Sequence, residues 1–209
     1  MTEMTVVHLL RHGEVHNPEH VLYGRLPGYH LSANGRMMAA AAADFFAGRP
    51  VAAVFASPLE RAQETAQPVA ERLGLTITTD DRLIESGNVL EGKSVSLASL
   101  ALNPLNWQYL WNPFRPSWGE PYQSIAARML AAMADAARAA RGHEVVCVSH
   151  QLPIFTARRA VEGQHLWHDP RRRQCALASV TSFRYLGDTI ASVSYAEPAG
   201  SGPPQTPGA

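Results

Sequence analysis

The chain lacks the features that would direct it to a membrane, to nucleic acid or out of the cell. No apolar run reaches the roughly 18 residues that a spanning helix needs. The opening Met1-Thr2-Glu3-Met4 is polar and charged where an export signal would place an apolar core. Net charge is missing too. The 18 Lys and Arg residues balance 18 Asp and Glu, which argues against a general binder of nucleic acid or of a membrane surface. Cysteine is scarce: Cys147 lies in an apolar strand and Cys175 behind a run of arginines, a placement that suits buried thiols in a reducing compartment better than a disulfide. The expectation is a cytoplasmic protein with neither nucleic acid nor a membrane as partner. Signature loops are absent as well. There is no G-x-x-x-x-G-K-[ST], no G-x-G-x-x-G after a strand, no G-x-S-x-G, and neither Cys has an Arg six positions later.

What remains is a 209-residue chain, 46% hydrophobic, long enough for one substantial core, so residues 1–196 are expected to form a single domain. Thr5 to Leu10 reads as a buried strand that breaks off at Arg11-His12-Gly13-Glu14. His8, His12, His16 and His20 recur every four residues, as metal ligands on a helix would. The β-branched Thr5-Val6-Val7, Gly13 and Pro18 exclude that helix. Gly13 is expected to let the chain turn and a ligand approach.

Ser32 is the expected N-cap of a helix reaching Phe46 and closed by Gly48. Val51 to Ala56 is a second strand. After it, Ser57, Pro58 and Glu60 read as a capping box. Arg61 then falls in a helix's first turn, where a cation opposes the helix dipole unless it shares an anion with the helix terminus. Leu75 to Thr79 is a third strand, followed by Glu85. Residues 86–119 are irregular and hold three of the four Trp residues (Trp107, Trp111, Trp118), as expected of a lid. A long helix from Tyr122 to Arg141, a strand from Glu144 to Val148 ending at Ser149-His150, and a helix from Pro153 to Glu162 come next. A closing hairpin runs from Ala178 to Tyr195, before a Pro- and Gly-rich tail (197–209) expected to be disordered. Arg171-Arg172-Arg173 reads as a solvated face, and His165, His168 and Asp169 as a surface turn in preference to metal ligands.

Alternating strands and helices predict an α/β fold with a mostly parallel central sheet. Ligands bind such sheets at the carboxyl ends of the strands, where Arg11, His12, Arg61, Glu85 and His150 converge. Two arginines, two histidines and a carboxylate suit a phosphate dianion with a group placed to move a proton. A backbone carbonyl near Gly13 would fix the His12 tautomer and leave its other nitrogen nucleophilic.

Leu10-Arg11-His12-Gly13-Glu14, Ser57-Pro58-Leu59-x-Arg61-Ala62-x-x-Thr65-Ala66, Leu83-x-Glu85 with Glu91-Gly92, and Val148-Ser149-His150 together resemble, in order, the four blocks of the histidine phosphatase superfamily (branch 1), the phosphoglycerate-mutase-like proteins. The resemblance implies a three-layer α/β/α fold and neither metal nor cofactor. It implies that His12 becomes phosphohistidine, that Arg11, Arg61 and His150 bind the transferring phosphoryl group, and that Glu85 serves as acid and base. Asn17 is carried over as a substrate contact, although it stands five residues after His12 where the family often has Asn six after. Gln151 stands where Gly usually follows the second His. The resemblance also allows a homodimer. Three functions compete: a phosphomonoester hydrolase acting on a small phosphorylated metabolite, a phosphoglycerate-type mutase, and a non-catalytic phospho-ligand binder. The first is expected, because a binder gains little from Glu85 and because residues 86–119 offer only Lys93 and Arg115 to a second phosphate.

Overall fold

The computed structural model describes residues 3–88, 91–92 and 119–200. The bulk of the expected lid, with its three Trp residues, and the tail beyond residue 200 lie outside the described residues. The elements are β1 (Met4–Arg11), α1 (Ala33–Phe46), β2 (Val51–Ala56), α2 (Glu60–Leu73), β3 (Ile77–Thr79), α3 (Tyr122–Ala139), β4 (Glu144–Ser149), α4 (Gln151–Val161), β5 (Val180–Leu186) and β6 (Thr189–Ala196). The strands form one sheet in the order β3-β2-β4-β1-β5-β6. β1 to β4 run parallel, while β5 and β6 form the antiparallel edge.

The near-continuous apolar runs of β1 and β4 follow from burial on both faces. On one face Val7, Leu9, Val145 and Cys147 pack with Ile125, Met129 and Met133 of α3 and with Ile154 and Ala157 of α4. On the other, Leu10, Val146 and Val148 meet Ala42 and Phe46 of α1 and Ala62, Ala66 and Val69 of α2. Period-2 alternation in the strands and 3.6-residue spacing in the helices thus build the expected three layers. Both cysteines are free and buried, and among the described residues no helix is long and apolar enough to cross a membrane.

Register brings the junctions together. Leu10 and Ala56 both pair with Val148, so the residues that follow β1, β2 and β4 emerge side by side. Backbone bonds extend the alignment: His12 N–H donates to Ser149 O (3.1 Å) and Ser57 N–H to Val148 O (2.9 Å).

Two local expectations are corrected. α1 begins as expected, with the Ser32 hydroxyl accepting from Gly35 N–H, but α2 starts at Glu60 with Leu59 as N-cap and no side-chain cap. The Ser57 hydroxyl belongs to His150 instead (2.8 Å), and Glu60 accepts the Gly28 N–H (3.0 Å). The need for glycine at position 13 is also different. Its backbone is not in the left-handed region; a Cβ there would meet Gly35 O at 2.5 Å, and one on Gly35 would meet Glu14 O at 2.0 Å. Two glycines let the N-terminus of α1 press on the loop that carries His12, and Glu14 holds it there by accepting from Ser32 N–H and Asn34 Nδ2 (2.9 Å each).

Candidate active site

His12 is 2% exposed. Its Nδ1 lies 2.8 Å from Gly13 O, and because a carbonyl only accepts, Nδ1 carries the proton and Nε2 the lone pair. Burial first, then the nearby Arg61 and Arg11 charges, push its pKa well below the ordinary histidine value. The ring is therefore neutral at physiological pH, with an sp² nitrogen free to attack. The loop is braced from α2: Gly13 N–H donates to Thr65 Oγ1 (3.0 Å), which donates to Arg61 O (2.7 Å).

The His150 ring stands 5.1 Å from that of His12. It is fully buried, and burial followed by Arg61, His12 and Arg11 lowers its pKa strongly. Its Nε2 meets the Ser57 hydroxyl at 2.8 Å, while Nδ1 is buried without a hydrogen-bond partner among the described residues. A neutral His150 ring carries one proton, and where the Ser57 hydroxyl donates to Nε2 that proton sits on Nδ1.

Arg11 and Arg61 are both completely buried. Arg11 Nη1 donates to Cys175 O (2.8 Å). Arg61 Nη2 donates to Gly24 O (2.6 Å), and its guanidinium lies 4.7 Å from the centre of the Tyr23 ring. Its Nε and Nη1 are buried with no hydrogen-bond partner among the described residues. Guanidinium nitrogens and an imidazole nitrogen buried without protein partners are costly unless something else pairs with them. One tetrahedral oxyanion would satisfy them together, as Arg61's place at the start of α2 also favours.

Glu85 arrives by a longer route. Asp80 N–H donates to Ala56 O (3.0 Å), a 3₁₀ turn follows over Asp81–Leu83, and Ser149 Oγ donates to Leu83 O (2.7 Å), pinning the segment on the end of β4. Arg25 Nε donates to Glu85 O (2.7 Å), and Glu85 Oε1 accepts from Ser86 N–H (2.7 Å). Glu85 lines one pocket of about 250 Å³ with His12, Tyr23, Tyr122, Gln151 and Arg173.

The structure thus brings Arg11, His12, Arg61, Glu85 and His150 to one sheet edge. Asn17 is engaged elsewhere, with Nδ2 donating to Val21 O (2.9 Å) and Oδ1 accepting from Val21 N–H (3.1 Å). Sequence reasoning missed Ser57, Thr65 and Tyr23 as site residues. It also misplaced the arginine run: Arg171 and Arg172 are exposed, but Arg173 lines the pocket, its Nε donating to His168 Nε2 (2.8 Å). Nor is His168 at the surface; it is 8% exposed. Among the described residues no group of three or more His, Cys, Asp or Glu is arranged to hold a metal ion.

Burial lowers the pKa of four imidazoles: His8, His12, His150 and His168, the last to about 4. In the unfolded chain each would take up a proton near pH 6.5, which the folded protein resists, so stability falls as pH drops below about 6.5. The exposed His30–Glu64 pair acts in the opposite sense, at the surface. Between pH 7.5 and 5, above the titration of most carboxylates, Tm is expected to decrease, at no more than about 1.4 kcal/mol per pH unit for each imidazole. A Tm that rises on acidification in this range would contradict neutral buried rings.

A family model described as histidine phosphatase superfamily (branch 1) matches residues 7–198. The protein Rv0525 of Mycobacterium tuberculosis is 58% identical over 200 residues, covering 95% of this chain and 99% of that protein. A phosphoglycerate mutase named GpmB from Enterobacter sp., its activity assigned as probable, is 29% identical over 85% of each chain. Among solved structures, the mycobacterial glucosyl-3-phosphoglycerate phosphatase Rv2419c superposes with a TM-score of 0.74 at 26% identity, over 92% of this chain and 96% of that one.

Proposed function

This chain belongs to branch 1 of the histidine phosphatase superfamily, and on that premise we propose that it is a metal-independent phosphomonoester hydrolase acting on a small phosphorylated metabolite through phosphohistidine. The observation that carries the reading is the His12 Nδ1–Gly13 O bond at 2.8 Å, which fixes a neutral, buried imidazole with its Nε2 lone pair available.

In the first step Nε2 attacks phosphorus, the ester P–O bond breaks, and Glu85 donates a proton to the leaving oxygen to give the alcohol. In the second, water attacks the phosphohistidine, the P–N bond breaks with its electron pair returning to Nε2, and Glu85 takes the water's proton. Arg11, Arg61 and the His150 Nδ1–H offset charge on the equatorial oxygens in both steps. They are held in place before substrate arrives, so little reorganisation accompanies the reaction. Asn17 contributes by shaping the 17–21 loop.

Mutase activity is the competing reading, favoured by the likeness to the GpmB protein. A mutase must retain a bisphosphate and exclude water from the phosphoenzyme. The aromatic-rich sequence of residues 86–119, with Lys93 and Arg115 as its cations, offers little charge to hold a bisphosphate for reorientation and suits a bulky, partly apolar remainder better. Incubation with 3-phosphoglycerate and catalytic 2,3-bisphosphoglycerate is expected to release phosphate with little 2-phosphoglycerate. Fast isomer exchange with little free phosphate would show the hydrolase assignment to be wrong.

A further inference from the structure

Arg173 stands in the catalytic pocket and has no part in the mechanism above. It lines the pocket with Glu85, Glu120, Tyr122 and Gln151. Glu120 of that lining is held by Arg25 and Arg128; among the described residues Arg173 has no ion pair. Its contacts are to neutral groups: Nε donates to His168 Nε2 at 2.8 Å, and Nη1 reaches Gln151 Oε1 at a long 3.4 Å.

The His168 contact defines what Arg173 is held for. His168 Nδ1 donates to Leu166 O (2.7 Å), so its Nε2 presents a lone pair and the ring is uncharged. Phe155 and Tyr122 fix that ring, at centroid distances of 4.7 and 5.6 Å. The imidazole thus orients the guanidinium without cancelling its charge. A structural arginine in so enclosed a place would be steadier with a carboxylate. Glu85, across the same pocket, forms no ion pair with it, and Nη2 has no partner among the described residues. A fixed, uncompensated fork is what binding an oxyanion requires.

We propose that Arg173, oriented by neutral His168, is a specificity residue that receives a second anionic group of the substrate, a carboxylate or a further phosphate, remote from the phosphoryl group that His12 attacks. This rests on the hydrolase reading only for the identity of the attacked group, so its test is made on binding. In the His12→Ala protein, dissociation constants are measured for 3-phosphoglycerate against glycerol 3-phosphate, and for glucose 1,6-bisphosphate against glucose 6-phosphate. At least one pair is expected to favour the doubly anionic member by about 10-fold or more, and the pair that does so identifies carboxylate or phosphate. Adding Arg173→Gln should bring that ratio to within about 3-fold, and Arg173→Lys should restore part of it. In wild-type kinetics the same preference should appear in KM more than in kcat. Ratios near one in both pairs of the parent would overturn the proposal, and that comparison stands even if an Arg173 variant does not fold. Equal weakening of both members of a pair by Arg173→Gln would overturn it too, by placing the residue on the shared phosphate or in the scaffold. Absence of hydrolysis by the wild-type protein, with the binding ratios intact, would instead defeat the hydrolase reading alone.

Discussion

Replacing His12 with Ala is expected to lower kcat for phosphomonoester hydrolysis by about 10⁴-fold or more, because the covalent route loses its nucleophile and, among the described residues, no thiol or hydroxyl at the site is free to take its place. Cys147 and Cys175 are buried with thiol pKa values raised by that burial, Cys147 to about 12. The hydroxyls of Ser57 and Thr65 are engaged by His150 and by the Gly13 and Arg61 backbones. Phosphate binding should survive the substitution, since Arg11, Arg61 and His150 remain. Turnover within about 10-fold of wild type would remove His12 from the reaction coordinate.

Arg61→Lys keeps the charge and removes the fork. The native guanidinium bonds Gly24 O with one nitrogen, lies over Tyr23, and leaves Nε and Nη1 for the ligand. A lysine ammonium is a single point of charge on a flexible stem and cannot anchor to Gly24 and grip two oxygens at once. A loss in kcat/KM of about 10²-fold is expected, comparable to removing one oxyanion donor. Wild-type kinetics in this variant would place Arg61 outside the transition-state contacts.

The strands, with Arg11, His12 and His150 at their ends and Arg61 and Glu85 a few residues beyond, were legible because local patterns encode them. β-branched runs stop abruptly at Arg11-His12, at Ser57 and at Ser149-His150, and a parallel sheet sends all such ends one way. Ser57 was misread because a Ser-Pro-x-Glu segment satisfies every local rule for a helix cap, while the register of β2 against β4 that brings its hydroxyl to His150 is non-local. Arg173 failed for the same reason. Three consecutive arginines on a neutral chain look solvated, and only the buried His168 beneath them, itself read as part of a surface turn, draws the third one inward. The glycine at position 13 was recognised for the wrong cause, since no pattern announces that Gly35 will press on it. Asn17 shows the converse: its side chain matches a family position approximately, but its geometry serves Val21.

The central claim is that the phosphoryl group passes through Nε2 of His12. Rapid mixing of enzyme with a ³²P-labelled phosphomonoester, quenched in alkaline detergent and followed by peptide mapping, tests it most directly. The account predicts label on the peptide containing His12, stable in base and lost in acid as a phosphoramidate is, formed no more slowly than turnover and unaffected by EDTA. A wild-type enzyme that turns over without labelled protein, or that carries base-labile label on another residue, would contradict it.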